Sequence, residues 1–375
     1  MPASKESALA KKLIIETRAY YCLECGKCTA RCPISRVDST FSPVLNVARA
    51  LRGFDWEIKR DGGIWACMVC DICSSACPSN VDYPRFILGL RAQALKSGIE
   101  KRHLSELEQL FLEGVTDKEY GIYRDVKAVK TAIKGQDGGV VTSLLVEGMK
   151  KGFFDSAIVV YRQNGFQAEA VIAENVSDIR MAKGSKYQLV SVAGKLVEAV
   201  KEKGRKKIAV VGLPCQVLGI REIQKAMPEV EIFVIGLFCM ENFVYRLLRQ
   251  RVGELLKVDL DLAEKANITK GNFIVTNEGK QVSCKVSELQ GAVRTGCSFC
   301  TDFTSRLADI SVGSVGSPDG YSTVITRSRK GEELFRLLKD LKETSADRDE
   351  IERLASWKER KGFEKLKQEF SSLLG

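Results

Sequence analysis

The sequence predicts a mixed α+β and α/β protein: a small, mostly helical, cysteine-rich unit, then an α/β domain with a mixed sheet, then a helical tail. Three observations lead there. Two dense cysteine runs sit among apolar residues at helical spacing in the first hundred residues. From Lys127 onward, short apolar runs of strand type alternate with amphipathic runs. From Gly331 to Gly375 the chain is rich in Lys and Glu and helical in pattern.

Taken in order, the apolar spacing predicts helices before Tyr21, between Pro43 and Leu51, and after Pro84, so residues 1–100 form the helical unit. Residues 101–126, KRHLSELEQLFLEGVTDKEYGIYRDV, are charged and weakly periodic and read as a helix followed by a connecting segment. Residues 127–330 carry the strand candidates SAIVVYR, KIAVVGL, EIFVIGLF and ADISVG, separated by VVTSLLVEGMKKG and LVSVAGKLVEAVKEK. In NFIVTNEGKQVSCKV, strand-type residues flank an Asn-Glu-Gly turn, so part of the sheet is expected to be antiparallel. Residues 331–375 are expected to form a solvated surface helix, with partner docking as the alternative.

Composition narrows the class. In 375 residues, 45% of them apolar, there is enough apolar material for substantial cores, and disorder is not expected. The opening MPASKESALAKK is not followed by an apolar signal core, and no stretch approaches the roughly 18 apolar residues of a membrane helix. Thirteen cysteines, ten of them in tight local clusters and an odd number overall, fit a reducing cytoplasm better than a disulfide framework. The expected location is cytoplasmic, at most peripheral on the cytoplasmic side of a membrane complex. The net charge of +10 favours an acidic partner or substrate. No zinc-finger, recognition-helix or aromatic-plus-basic pattern accompanies it, which argues against nucleic acid.

The chemistry starts with the cysteine runs. Cys22, Cys25, Cys28 and Cys32 lie in CLECGKCTARCP; Cys67, Cys70, Cys73 and Cys77 lie in CMVCDICSSACP. Both have the C-x2-C-x2-C-x3-C-P spacing of bacterial ferredoxins, in which three thiolates face one cubane and the fourth ligates the other. The spacing therefore assigns Cys22, Cys25, Cys28 and Cys77 to one 4Fe–4S cluster and Cys67, Cys70, Cys73 and Cys32 to a second. Zinc also accepts four thiolates, but its sites usually draw paired knuckles from separated hairpins. The interval of 34 residues between Cys32 and Cys67 is longer than in a compact two-cluster ferredoxin. Over residues 5–100 the sequence resembles the small iron–sulfur subunit of heterodisulfide reductase, which implies electron relay without naming donor or acceptor.

Four further cysteines are spread through the α/β region: Cys215 in VVGLPCQVLGI, Cys239 in GLFCMEN, and Cys297 with Cys300 in RTGCSFCTDFTSRLADIS. Cys215 and Cys239 follow predicted strands, at the sheet end where α/β folds present ligands, so they are candidates to meet the C-x2-C loop and hold a third cubane. The alternative is that they are packing residues. Cys284 falls in a strand of alternating polarity and is expected only to pack.

GQDGGVVTSLLVEGMKKGFFDSAIVV, AKGSKY, GLPCQVLGI, GLFCMEN and RTGCSFCTDFTSRLADISVG together resemble, in this order and spacing, the beta-subunit family of coenzyme F420 hydrogenases and dehydrogenases. The resemblance covers most of residues 127–330. It implies a domain that holds FAD and one 4Fe–4S cluster and exchanges a hydride between the deazaflavin coenzyme F420 and FAD. In that reading Gly135, Gln136, Asp137, Gly138 and Gly139, with Thr142 in the helix that follows, form a cofactor loop at a helix N-terminus. Lys183, Gly184, Ser185, Lys186 and Tyr187 add two cations, a hydroxyl and an aromatic face. Alone, a Gly-Gly before a helix is more often a turn, and each member of Lys183–Tyr187 an ordinary surface residue. A second glycine-rich stretch, with Gly313, Gly316, Asp319, Gly320 and Ser322, is either a loop over the cofactor or a simple surface loop. Neither GxGxxG nor a Walker loop occurs.

The implied order of electron carriers is coenzyme F420, FAD, the cubane at Cys215, Cys239, Cys297 and Cys300, the two N-terminal cubanes, and then a partner protein. No side-chain acid or base is obligatory, and the single histidine, His103, is expected at the surface of the connecting segment. Candidate partners are a heterodisulfide-reductase-type complex, a methylene-carrier reductase or a membrane electron-transport complex. Two other readings share the same clusters: a flavin core fed by NAD(P)H or ferredoxin, and a flavin-free electron wire.

Overall fold

A computed structural model describes residues 5–54, 63–95, 99–133, 135–163 and 165–371, with the side chains of 5–10 and 99–101 left aside. Among the described residues, thirteen strands form three sheets. They are β1 Val115–Asp117, β2 Gly121–Tyr123, β3 Asp125–Lys130, β4 Ser156–Arg162, β5 Ala168–Ala173, β6 Lys207–Gly212, β7 Glu231–Leu237, β8 Lys265–Thr269, β9 Asn272–Asn277, β10 Lys280–Lys285, β11 Ile310–Gly313, β12 Ser322–Thr326 and β13 Lys342–Thr344.

The main sheet has the order β13-β3-β12-β11-β7-β6-β4-β5. Its centre, β11-β7-β6-β4, is parallel, and its outer strands pair antiparallel. The central strands are apolar and buried along most of their length, as expected for strands covered by helices on both faces. Helices Val140–Lys150 and Arg329–Arg336 pack on one face. Helices Val192–Lys201 and Pro214–Ala226 cover the other, and their outer sides receive the cysteine-rich unit. That unit comprises helices Lys5–Glu16, Lys27–Arg31, Pro43–Leu51, Gly63–Ala66, Ile72–Ser75 and Tyr83–Ala94. Among the described residues it has no hydrophobic core of its own: Leu13, Ile64, Phe86 and Leu90 belong to one continuous cluster with Leu196, Val217 and Ile220. Gly219 permits this approach, since a side chain there would overlap Met68 Sδ.

Three expectations need correction. The hairpin after Asn272 forms as the turn chemistry requires, with Glu278 and Gly279 both left-handed at φ 48° and 72°. It does not join the main sheet, however, but builds a separate antiparallel one, β10-β9-β8, over its own core of Phe243, Phe273 and Leu289. His103 is not on the surface: on helix Ile99–Phe111 its Nε2 lies 2.8 Å from Glu222 Oε1, with the side chain 13% exposed. Nor is the tail a solvated helix. Residues Lys342–Thr344 add edge strand β13, and helix Arg348–Glu369 buries a stripe of Ile351, Ala355, Lys358, Gly362 and Leu366. Among the described residues, no helix is long and apolar enough to cross a membrane.

The sheet and its helices are pinned by an ion pair that is almost wholly buried. Asp309 accepts from Val234 N at 2.7 Å and Ser328 Oγ at 2.6 Å, and Arg221 Nη2 lies 3.2 Å from it. Burial opposes the charge of Asp309, but Arg221, Lys330 and the two hydrogen bonds prevail and hold its pKa below the usual carboxylate value. A carboxylate so depressed gives its full stabilisation above the unfolded-state pKa near 3.9, and loses it as pH falls through the lower folded value. Replacing Asp309 by Ala strands the Arg221 guanidinium, which is fully buried. The expected loss is about 3–5 kcal/mol at neutral pH, read from denaturant unfolding.

Candidate functional site

Each ferredoxin-type run forms a short loop closed by a one-turn helix, Lys27–Arg31 in the first and Ile72–Ser75 in the second. The left-handed residues Glu24 and Gly26, and in the second run Val69 and Asp71, reverse the backbone between cysteines. The fourth cysteine of each run crosses over. Cys22 lies within electrostatic range of Cys25, Cys28 and Cys77, and Cys32 of Cys67, Cys70 and Cys73. Cys32, Cys67, Cys70 and Cys73 line one cavity with apolar walls that include Ile34 and Phe41.

The third group assembles from three parts of the sheet. Cys215 sits in the first turn of helix Pro214–Ala226, just past β6, and Cys239 just past the parallel neighbour β7. The 3₁₀ turn Thr295–Phe299 brings Cys297 and Cys300 to them. Cys215 is within electrostatic range of Cys239, Cys297 and Cys300. Cys284, by contrast, is buried in the core beneath the small sheet.

Burial pushes the Cys67 and Cys239 thiols up to about 12, and Cys73 and Cys215 higher still. Thiols in such surroundings do not ionise at neutral pH unless a bound metal takes the proton's place. Among the described residues, no three His, Cys, Asp or Glu side chains converge tightly enough for a single metal ion. A cubane offers four irons at separate corners, so its thiolates need not share one point. The donor sets, all thiolate and four to a group, fit 4Fe–4S clusters.

The second and third groups are neighbours. Cys70 and Cys215 line the same cleft, with Met68, Ile72 and Val190. Arg294 spans them: its Nη2 donates to the Val69 carbonyl at 2.9 Å, and its charge acts on Cys70, Cys215 and Cys297. Nothing in the spacing of the sequence singles out Arg294, because its role is visible only once the two units are docked.

The glycine loop leads into helix Val140–Lys150. Gly138 and Gly139 are glycines for packing reasons: a Cβ on Gly138 would overlap the Val129 carbonyl oxygen, and one on Gly139 that of Ile133. Gly139 is also left-handed, φ 73°. The Gly138 N–H is spent on Ser322 Oγ at 3.1 Å. Gln136 is different: its Nε2 is buried without a hydrogen-bond partner, and it faces Gly184, where a Cβ would approach only Gln136 Oε1, at 4.0 Å. Gly135, Lys183, Gly184 and Ser185 are exposed at this opening, and Asp137 feels both Lys265 and Asp319. Thr142 is buried within helix Val140–Lys150. An orphaned buried amide beside open glycine backbone fits the edge of a polar ring ligand such as FAD.

Two residues of the second loop are committed to the protein itself. Lys186 Nζ donates to the carbonyls of Ala182 and Lys183, closing the helix Val176–Met181; burial, then Arg162, lowers its pKa to about 8. The Tyr187 hydroxyl accepts from Ile268 N at 3.0 Å while its ring packs edge-on to Phe273. The Tyr187 carbonyl accepts from Phe243 N, four residues past Cys239, so this loop runs directly into the third cysteine group.

Comparison with known proteins identifies the family. Residues 125–197 match the N-terminal part, and residues 205–349 the C-terminal part, of the coenzyme F420 hydrogenase/dehydrogenase beta subunit. Residues 18–81 match a 4Fe-4S dicluster domain. The chain is 33% identical over 228 residues to the coenzyme F420 hydrogenase subunit beta of Methanothermobacter thermautotrophicus, covering 58% of this chain and 81% of that one. It is 31% identical over 329 residues to an F420H2 dehydrogenase subunit of Methanosarcina mazei, covering 87% and 84%. A coenzyme F420-dependent sulfite reductase of Methanocaldococcus jannaschii is 31% identical over 331 residues, and the match spans 81% of this chain but only 51% of that longer protein. A chain in the structure of the F420-reducing NiFe hydrogenase complex from Methanosarcina barkeri superposes with a TM-score of 0.65 at 31% identity, covering 68% of this chain and 94% of that chain. The fold, the order of the matched segments and the extent of these matches agree that this chain belongs to the coenzyme F420 hydrogenase/dehydrogenase beta-subunit family of oxidoreductases, with a dicluster iron–sulfur domain at its N-terminal side.

Proposed function

We propose that this chain transfers electrons between coenzyme F420 and a protein partner. The observation that carries the reading is the convergence of twelve cysteines, scattered from Cys22 to Cys300, into three groups of four. The second and third groups adjoin at one cleft, and the loop that carries Gly184 bonds, through the Tyr187 carbonyl, to Phe243 near the third. FAD would supply the exchange between two-electron hydride chemistry and the one-electron steps that 4Fe–4S clusters accept. The residues offered to it are Gln136, through its orphaned amide, and the open backbone of Gly184. Lys183 and Lys265 lie by the same opening as cations for the acidic tail of the deazaflavin. Cys215, Cys239, Cys297 and Cys300 would hold the cluster nearest that opening; Cys67, Cys70, Cys73 and Cys32 the middle one; Cys22, Cys25, Cys28 and Cys77 the outer one.

The outer group meets solvent. Cys25 is exposed, and Tyr20, Tyr21 and Leu23 beside it are 69%, 59% and 71% exposed. Arg18, Lys27 and Arg31 are exposed around them. An apolar patch with a basic rim over a redox centre suits a partner protein with an acidic rim. This favours a protein acceptor, such as one of the three complexes named from the sequence, over a soluble dye-like one.

Anaerobically prepared protein should contain about twelve irons per chain, from three cubanes, and acid-releasable FAD. Reduced coenzyme F420 should bleach both the flavin and the cluster absorbance. Cys215→Ser should drop iron to about eight and leave the remaining clusters reducible by dithionite but not by the coenzyme. Reduction by NADH or ferredoxin in place of the coenzyme overturns the substrate assignment, and full iron without FAD points to a wire. At the exit, Tyr20→Glu should slow electron delivery to an acidic ferredoxin while leaving delivery to a viologen dye unchanged.

A further inference from the structure

The family match ends at residue 349, and the helix that follows, Arg348–Glu369, lies almost wholly beyond it. Its inner stripe has an unusual member. Lys358 is only 4% exposed, among Ile351, Ala355, Gly362 and Leu366. Lysine is almost never buried unless a partner offsets its charge, because an unpaired ammonium away from water is costly. Among the described residues Lys358 makes no ion pair, and its one hydrogen bond goes from Nζ to the carbonyl of Cys239. The negative groups that act on it are, in falling order, Cys300, Cys239, the carboxylate of Asp302 and Cys297.

The helix is held against this group by its backbone and its end. At Gly362 a Cβ would lie 2.8 Å from the Cys300 carbonyl oxygen, so only glycine allows the helix this close. Past the last turn, Phe370 packs on Phe299, one residue before Cys300, with ring centroids 6.0 Å apart. Glu369 pairs with Arg85 of the cysteine-rich unit at 2.7 Å, and Arg85 also lies over the Phe370 ring. The ammonium is therefore delivered to the cysteine group by a helix anchored on the C-terminal side of Lys358.

We propose that Lys358 is the built-in counter-ion of the cluster at Cys215, Cys239, Cys297 and Cys300, a positioning residue that raises the reduction potential of that cluster alone. The proposal rests on the cluster reading above. A 4Fe–4S core with four thiolates is anionic in both redox states and gains one further negative charge on reduction, with no bond made and no proton moved. A buried cation beside it stabilises the reduced state more than the oxidised one, and net charge around a cluster is among the determinants of its potential. The same anion resolves the otherwise unpaired lysine.

The test is an EPR-monitored redox titration of the full chain, reconstituted anaerobically, as wild type and as Lys358→Gln, Lys358→Met and Lys358→Arg. The third-group signal is identified as the one missing from Cys215→Ser. In the Gln and Met variants its reduced-to-oxidised ratio at fixed potential should fall at least tenfold, about 59 mV for a one-electron couple, with the two other signals unmoved and the Arg variant close to wild type. An unmoved third signal in an iron-replete neutral variant overturns the proposal, as does an equal shift of all three. Loss of that cluster from both neutral variants but not from the Arg variant supports it; loss from all three overturns it. A wild-type protein without three cluster signals would refute the cluster reading itself, a separate failure.

Discussion

The constraint on which this structure depends is electrostatic: sulfur ligands as buried as these require compensation for the negative charge of any core bound to them. The protein meets it with backbone N–H groups aimed at sulfur, as from Val69 to Cys67, Val81 to Cys77 and Asn242 to Cys297. It adds cations placed by backbone carbonyls: Arg294 donates to that of Val69, and Lys358 to that of Cys239. A carbonyl partner fixes a cation in place without cancelling its charge, which remains available to the cluster.

The same constraint explains why the cysteine-rich unit is fused into the core of its neighbour rather than tethered to it. Apolar walls surround Cys32, Cys67, Cys70 and Cys73, and Cys67, Met68 and Val69 pack into one core with helices of the α/β region. Met68 fills the space left by Gly219, and Val69 packs against Gly296, so the second motif is wedged between two segments that flank the third cysteine group.

How much of this is legible in the sequence depends on range. The eight N-terminal cysteines declare themselves through a spacing that one loop must satisfy, and the crossing of Cys32 and Cys77 follows from it. Cys215 and Cys239 are readable as residues past strand ends because β6 and β7 are apolar after their first residues. The tail misleads because Lys358 and Gly362 occupy two positions of the buried stripe, and a lysine and a glycine erase the apolar period that would have marked it. Gly138 and Gly139 look like a phosphate cradle, yet their lack of side chains answers to the crowding of Val129, Ile133 and Ser322, which only tertiary structure reveals. The small sheet is hidden for a similar reason: turn residues specify a hairpin, but not which sheet receives it.

The continuous core shared by the relay unit and the sheet has a kinetic meaning. Carriers that must find one another by diffusion pass charge at a rate set by their abundance, whereas groups locked into one packed body do so at a rate set by geometry alone. In the proposed relay every internal hop becomes independent of dilution. The concentrations left to govern throughput are those of the coenzyme at one end and of the molecule which meets the tyrosines beside Cys25 at the other.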